Sequence, residues 1–344
     1  PIPLTGPEGP TGWLGFEWLL LHGFYTSTDA TRLRHMYLSV LFGTGLACAT
    51  AQAFFTLLFA RLLPDGIWRR EPGFLAHQAV GLPLMLIVAG VGTVAWFFPD
   101  EASQKLAATP EGRVHGDFPT SDWLVSLLLG ELLLWDIPMS AFPSLRSAAS
   151  VGHHVMMALA CVIALQPYLL YYVPFQGGGG ALRQVAVHRA VREQVPFFGG
   201  VIELSSIPLQ VVDVLHPKHF VEWTERPRVA QLNAACRVAF AALFLLTRTA
   251  LFPFVVFGQV LPDLYHVASR DPDERVGAAV GSALAVGFLL LQLYWSRLIL
   301  RQILKKRGGE GGSKASIRSR EEASSPATAY SQLDDVRGHR AVEA

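Results

Sequence analysis

The chain has 344 residues, 51% hydrophobic and 16% charged, with a formal net charge of +1 and a mean hydropathy of +0.35. A soluble globular chain carries about 25% charged residues, and the deficit here falls in long uncharged runs, which mark an integral membrane protein. The net charge itself says nothing about nucleic acid, but no basic domain stands out and no nucleic-acid partner is expected. Cys48, Cys161 and Cys236 lie in or beside apolar segments and give no sign of a disulfide framework or thiolate metal site.

Residues 1–35 form an N-terminal segment whose apolar stretch at 13–24 is too short to span and holds Glu17 and His22. It is expected to lie at the membrane interface or against the bundle. Apolar runs then predict spans at 36–60, 75–98, 121–140, 153–175, 195–215, 238–261 and 276–296. The fold class expected is an all-α membrane protein. Its domain covers 36–307 as a bundle of about seven transmembrane helices, six of them enclosing a central lipid cavity. The glycine run at 177–180 reads as a connector, since no strand precedes it and no Lys-Ser or Lys-Thr follows.

After span seven the chain turns basic through Arg297, Arg301, Lys305, Lys306 and Arg307, which places the C-terminus in the cytosol by the positive-inside rule. Arg61, Arg69 and Arg70 after span one, and Lys218, Arg226 and Arg228 after span five, fall on the same side. Arg183, Arg189 and Arg192 fall on the other. Residues 308–344 lack apolar periodicity and are expected to form a disordered cytosolic tail.

Polar residues inside spans are costly and tend to face a protein interior. His153 and His154 open span four, either as an interfacial cap or as groups facing a cavity. Asp136 sits in the cytosolic half of span three, and short connections leave neighbouring helices antiparallel, so Asp136 can orient one imidazole for general-base chemistry. Glu203 in span five and Arg248 in span six reach similar depth and are expected to compensate each other, in an architectural or a functional role. His216 and His219 form an H-x-x-H, but His22, His35, His77, His115, His188, His266 and His339 have no neighbour at ligand spacing, so no metal site is expected. Walker and G-x-S-x-G motifs are absent.

In their order along the chain these residues resemble the TLC-domain family, named for its translocation-associated, longevity-assurance and ceroid-lipofuscinosis members. Asp136 ends the run Leu132-Leu133-Leu134-Trp135-Asp136 as the family's aspartate ends its third hydrophobic segment, and His153-His154 matches the adjacent histidines that open the next. Glu203-Leu204-Ser205-Ser206 looks like the Glu-x-Ser-x-Pro element, with the proline displaced to Pro208. Leu232-Asn233, Phe240, Phe244 and Arg248 look like the Asn, Phe and Arg segment.

The family includes ceramide synthases, endoplasmic-reticulum enzymes that join acyl-CoA to a sphingoid base. The resemblance implies His153 or His154 as the residue that deprotonates the amine or accepts the acyl group, with Asp136 in support. It implies acyl-CoA as co-substrate with no resident cofactor, and location in the endoplasmic reticulum. Glu203, Ser205, Ser206, Arg248 and Asn233 become cavity or structural polar groups. The His-Asp-x-x-Asp element of ceramide synthases is missing after the histidines. In this the chain is similar to the less characterised TLC-domain proteins connected with lipid homeostasis. Two readings stand: acyl transfer to a lipid amine or hydroxyl, or a non-catalytic module that binds, senses or moves a lipid. The partners expected are a lipid or acyl chain, the membrane, and a second copy of the chain as a homodimer.

Overall fold

The computed structural model describes residues 30–63, 71–142, 145, 148–169, 192–216 and 226–309. The stretch at 13–24, the glycine run and the tail beyond Gly309 lie outside the described residues. Every regular element among the described residues is helical. Helix α1 is Ala30–Leu62 and α2 is Pro72–Phe97. Two short helices follow, α3 (Glu101–Leu106) and α4 (Pro110–His115). Their first turns are capped by Asp100, which accepts from the Ser103 N–H at 2.6 Å, and by Thr109, which accepts from the Gly112 N–H at 3.0 Å.

Helix α5 runs Pro119–Glu131 and continues through Leu132–Asp136 and Ile137–Met139. Helix α6 is Ala148–Leu169, α7 is the interrupted segment Val195–Val214, α8 is Pro227–Arg270 and α9 is Arg275–Gly309. Helices α3 and α4 cap one end of the bundle, and α9 finishes at the other, here the tail end.

Five helices among the described residues are long and apolar enough to cross a membrane: His35–Leu62, Pro72–Phe97, Val195–Val214, Pro227–Arg270 and Pro272–Leu304. Ser150–Leu165 is a shorter apolar helix. The third predicted span, in α5, is not among the five; it carries Asp122, Glu131 and Asp136, all buried in the bundle. Outward faces are apolar as well as the core: Leu46 is 69% and Phe254 68% exposed, as a hydrocarbon solvent requires. The chain is a helical membrane bundle. Helix α8 starts well before the predicted 238, and its 44 residues extend to about 66 Å, twice the hydrocarbon thickness, so its ends project beyond the apolar layer.

Three stretches of widened π turn, Leu132–Asp136, Leu245–Leu251 and Val256–Val260, each end two residues before a proline: Pro138, Pro253 and Pro262. Proline has no N–H and its ring crowds the carbonyl one turn back, so the preceding turn opens to longer-range bonds. Pro83 in α2 causes no such turn, so the proline alone is not sufficient. Asp136 and Arg248 both sit in these widened turns.

Helix α7 breaks at Gly199–Gly200 and resumes as the 3-10 turn Val201–Ser205 and the helix Ser206–Val214. The glycines permit it: a Cβ on Gly200 or on Gly92 of α2 would overlap the other's backbone, so the two chains touch directly. One apolar core joins α1, α2, α5 and α6 around Leu84, Val88, Leu128 and Trp135. A second joins α7, α8 and α9 around Phe197, Phe252 and Val256.

Candidate functional site

Chain direction brings the start of α2, the end of α5 and the start of α6 to the tail-end half of the bundle, and their polar groups meet there. Asp136 Oδ2 lies 3.0 Å from His154 Nδ1, and its Oδ1 lies 2.9 Å from His77 Nε2. Sequence reasoning expects Asp136 to orient one imidazole of the His153-His154 pair; in the structure it holds His154 and, in addition, His77, for which no such role is expected. His77 stacks on Trp135, ring centroids 4.6 Å apart. The Trp135 indole N–H donates to Gln52 Oε1 at 3.2 Å, and Gln52 Nε2 donates to the Gly73 carbonyl at 2.9 Å. Helices α1, α2 and α5 are thereby locked around the carboxylate.

Adjacent helix positions point about 100° apart, and the two histidines divide accordingly. His154 turns to Asp136. His153 turns to a cavity of about 150 Å³ whose walls come from α5 to α9, with Val125, Cys161, Phe198, Phe252, Leu284 and Phe288 among its apolar lining. His153 packs edge-on against Phe288 and Trp295 of α9, centroids 5.9 and 5.3 Å away. It makes no ion pair with Asp136.

A second buried polar cluster lies where α7 is broken. Arg248 Nη2 is 3.3 Å from Glu203 Oε1 and donates to Ser206 Oγ at 3.2 Å. Its Nε donates to Ser205 Oγ at 3.0 Å and to the Ile202 carbonyl at 3.2 Å, and its Nη1 donates to Gln292 Oε1 at 3.4 Å. Ser206 Oγ also donates to Glu203 Oε2 at 2.5 Å. The interruption of α7 frees the Ile202 carbonyl, which accepts from Ser205 Oγ at 2.9 Å as well as from the guanidinium. Glu203, Ser205, Ser206 and Arg248 are therefore one unit. Asn233 is not part of it: its Nδ2 donates to the Leu215 carbonyl at 3.2 Å and its Oδ1 accepts from Arg237 Nε at 3.1 Å, tying α8 to the end of α7.

At the opposite end, outside the apolar layer, Arg113 of α4 pairs with Asp263 of α8 and lies 3.8 Å from Glu193, while Glu111 meets His266 at 2.9 Å and Arg270 at 2.6 Å. Burial pushes the Glu193 carboxyl up to about 7; Arg113 opposes this and the Asp263 charge adds to it. Arg192 lies 3.0 Å from Asp122. This end carries none of the site residues expected from the sequence.

Sequence reasoning missed Gln52, His77, Trp135, Gln292 and Trp295. His77 was within reach: it opens span two on the side where span three ends, so depth counting alone places it near Asp136. Gln292 and Trp295 lie in an uncharged span and carry no comparable signal. No group of three or more His, Cys, Asp or Glu among the described residues could hold a metal ion. Comparison with protein-family models, curated proteins and solved structures gives no match to this chain.

Proposed function

We propose that this chain is a TLC-like membrane protein of lipid homeostasis that transfers an acyl group to a lipid amine or hydroxyl. Seven helices, α1, α2 and α5 to α9, cross the bilayer of the endoplasmic reticulum with the C-terminus in the cytosol. The observation that carries the reading is an apolar cavity with one imidazole on its wall and an imidazole–carboxylate pair directly behind it. Such a hollow suits a hydrocarbon chain, and His153 is the polar group that a reacting headgroup would meet.

In this reading acyl-CoA is the co-substrate. The lipid nitrogen or oxygen attacks the thioester carbonyl as His153 takes its proton. The carbon–sulfur bond then breaks, and the departing thiolate receives that proton to leave as free CoA thiol. Asp136 holds His154 and His77, which fixes the start of α6 and the position of His153. Replacing His153 and His154 with alanine at equal expression, followed by lipid profiling, is expected to remove an acylated product. Unchanged lipids would refute the transfer step.

A second reading, a non-catalytic module that binds or moves a lipid, is favoured by the almost wholly apolar cavity wall, on which His153 is the one side chain with nitrogen or oxygen among the described residues. It predicts lipid that co-purifies with the protein, stays bound after loss of both histidines, and shows no turnover with acyl-CoA.

A further inference from the structure

Three buried hydrogen-bonding atoms near His153 have no partner among the described residues: His153 Nδ1, Gln292 Nε2 and Trp295 Nε1. Phe288, Gln292 and Trp295 recur at intervals of four and three along α9, so they share one face of it. That face meets α6, because His153 packs on both Phe288 and Trp295. His153 and Phe288 also line the cavity, and Gln292 and Trp295 follow Phe288 along α9 toward the tail end.

The chemistry of each atom is fixed. Arg248 only donates, so the Gln292 atom 3.4 Å from its Nη1 is the amide oxygen, and the NH2 is the group left over. The indole N–H of Trp295 is a donor and never an acceptor. Buried donors without acceptors are rare and costly in folded chains. Two of them on the helix face that packs against a cavity-lining imidazole fit an acceptor oxygen that comes with a ligand. The donors are neutral, and Arg248 is already taken up by Glu203, Ser205, Ser206 and Ile202. A neutral oxygen with two lone pairs matches this set better than a phosphate or carboxylate, which selects charged donors.

We propose that Gln292 and Trp295 bind the carbonyl oxygen of an acyl ester, amide or thioester whose chain fills the cavity, with the His153 imidazole beside the carbonyl carbon. This rests on the lipid-handling reading above and assigns the carbonyl site within it. In an acyl transfer the same two N–H groups would face the oxygen on which negative charge grows, as preorganised donors do in other acyl-transfer sites.

The test uses the full chain in nanodiscs with S-ethyl palmitothioate labelled with carbon-13 at the carbonyl as probe. Infrared spectra give the carbonyl stretch, and titration gives the affinity. The bound band is expected below its position in hexadecane. Trp295→Phe keeps the ring on His153 but deletes the N–H, and Gln292→Glu keeps an acceptor for Arg248 but deletes the amide donor. Each is expected to move the band back toward the hexadecane value and weaken binding about fivefold, the equivalent of one ordinary hydrogen bond. Trp295→Phe removes a donor that has no partner in the empty protein but also trims a ring packed in the core with Phe240 and Phe244, so affinity is measured well below the melting temperature of each variant.

A band that does not shift on binding, a shift that both variants retain, a probe that does not bind, or affinity lost only in step with melting temperature would each overturn the proposal. Water filling the same place leaves the carbonyl off both donors, so the band is then the same in the parent chain and in both variants. The acyl-transfer reading fails separately: a shifted band without turnover keeps the carbonyl site and removes the transfer, whereas turnover with an unshifted band does the reverse.

Discussion

Replacing Arg248 with methionine tests whether the break in α7 depends on the buried ion pair. Arg248 is 5% and Glu203 6% exposed, so neither charge has water to fall back on. Methionine fills much of the same volume but removes the donors to Glu203, Ser205, Ser206, Gln292 and the Ile202 carbonyl at once. Breaking a buried pair by removing one partner costs about 3–5 kcal/mol. Ser206 still donates to Glu203, which argues for the lower figure. At about 2–4 °C per kcal/mol for a chain of this class, 3 kcal/mol lowers the melting temperature by about 6–12 °C.

Glu203→Gln leaves an acceptor for the guanidinium and strands only its charge, and Glu203→Gln with Arg248→Met together strands neither. The double variant is therefore expected to be more stable than the sum of the singles by more than about 1 kcal/mol, the signature of direct coupling. Thermal denaturation of the purified full chain in nanodiscs, followed by circular dichroism, measures all four proteins. A fall under about 2 °C for Arg248→Met, or strict additivity, would refute the claim that this pair holds α7 open.

Two further predictions concern other parts of the bundle. Glu193 titrates at about 7 against a usual value of 4.5, so the folded chain holds its proton more tightly than the unfolded one. Its contribution is present at low pH and is lost as pH rises from about 4.5 through 7. Glu193→Gln should raise the melting temperature at pH 8 and leave it unchanged near pH 4.5; an equal effect at both would contradict the burial argument. Gly92→Ala places a methyl against the backbone of Gly200 and should lower the melting temperature. Gly43→Ala meets open space and should be neutral or gain up to about 1 kcal/mol from helix propensity. The same outcome for both glycines would show that the close approach of α2 and α7 is not what Gly92 serves.

Part of the candidate site was legible from spacing alone. Asp136 and His154 meet because a short link joins antiparallel helices, and Glu203 meets Arg248 because two isolated charges in hydrocarbon have few alternatives. His77 was obscured by its distance in sequence, 59 residues before Asp136, although its place at the start of α2 gave its depth. Asn233 was grouped with Arg248 by its order along the chain, yet 15 helical positions separate the two and it bonds to α7 elsewhere.

The residues by themselves determined the class of solvent, the helical character and the ends at which the charged groups sit, since hydropathy and the 1.5 Å helical rise act on each segment independently. Only the packed bundle decided which face each helix turns inward. That choice rests on backbone contact at Gly92 and Gly200 and on the turns widened before Pro138 and Pro253. It put His153 rather than His154 on the cavity wall, gave Asp136 two imidazoles, and left Gln292 and Trp295 with hydrogens to offer. Rotation about a helix axis is set by neighbours, and no single segment carries it.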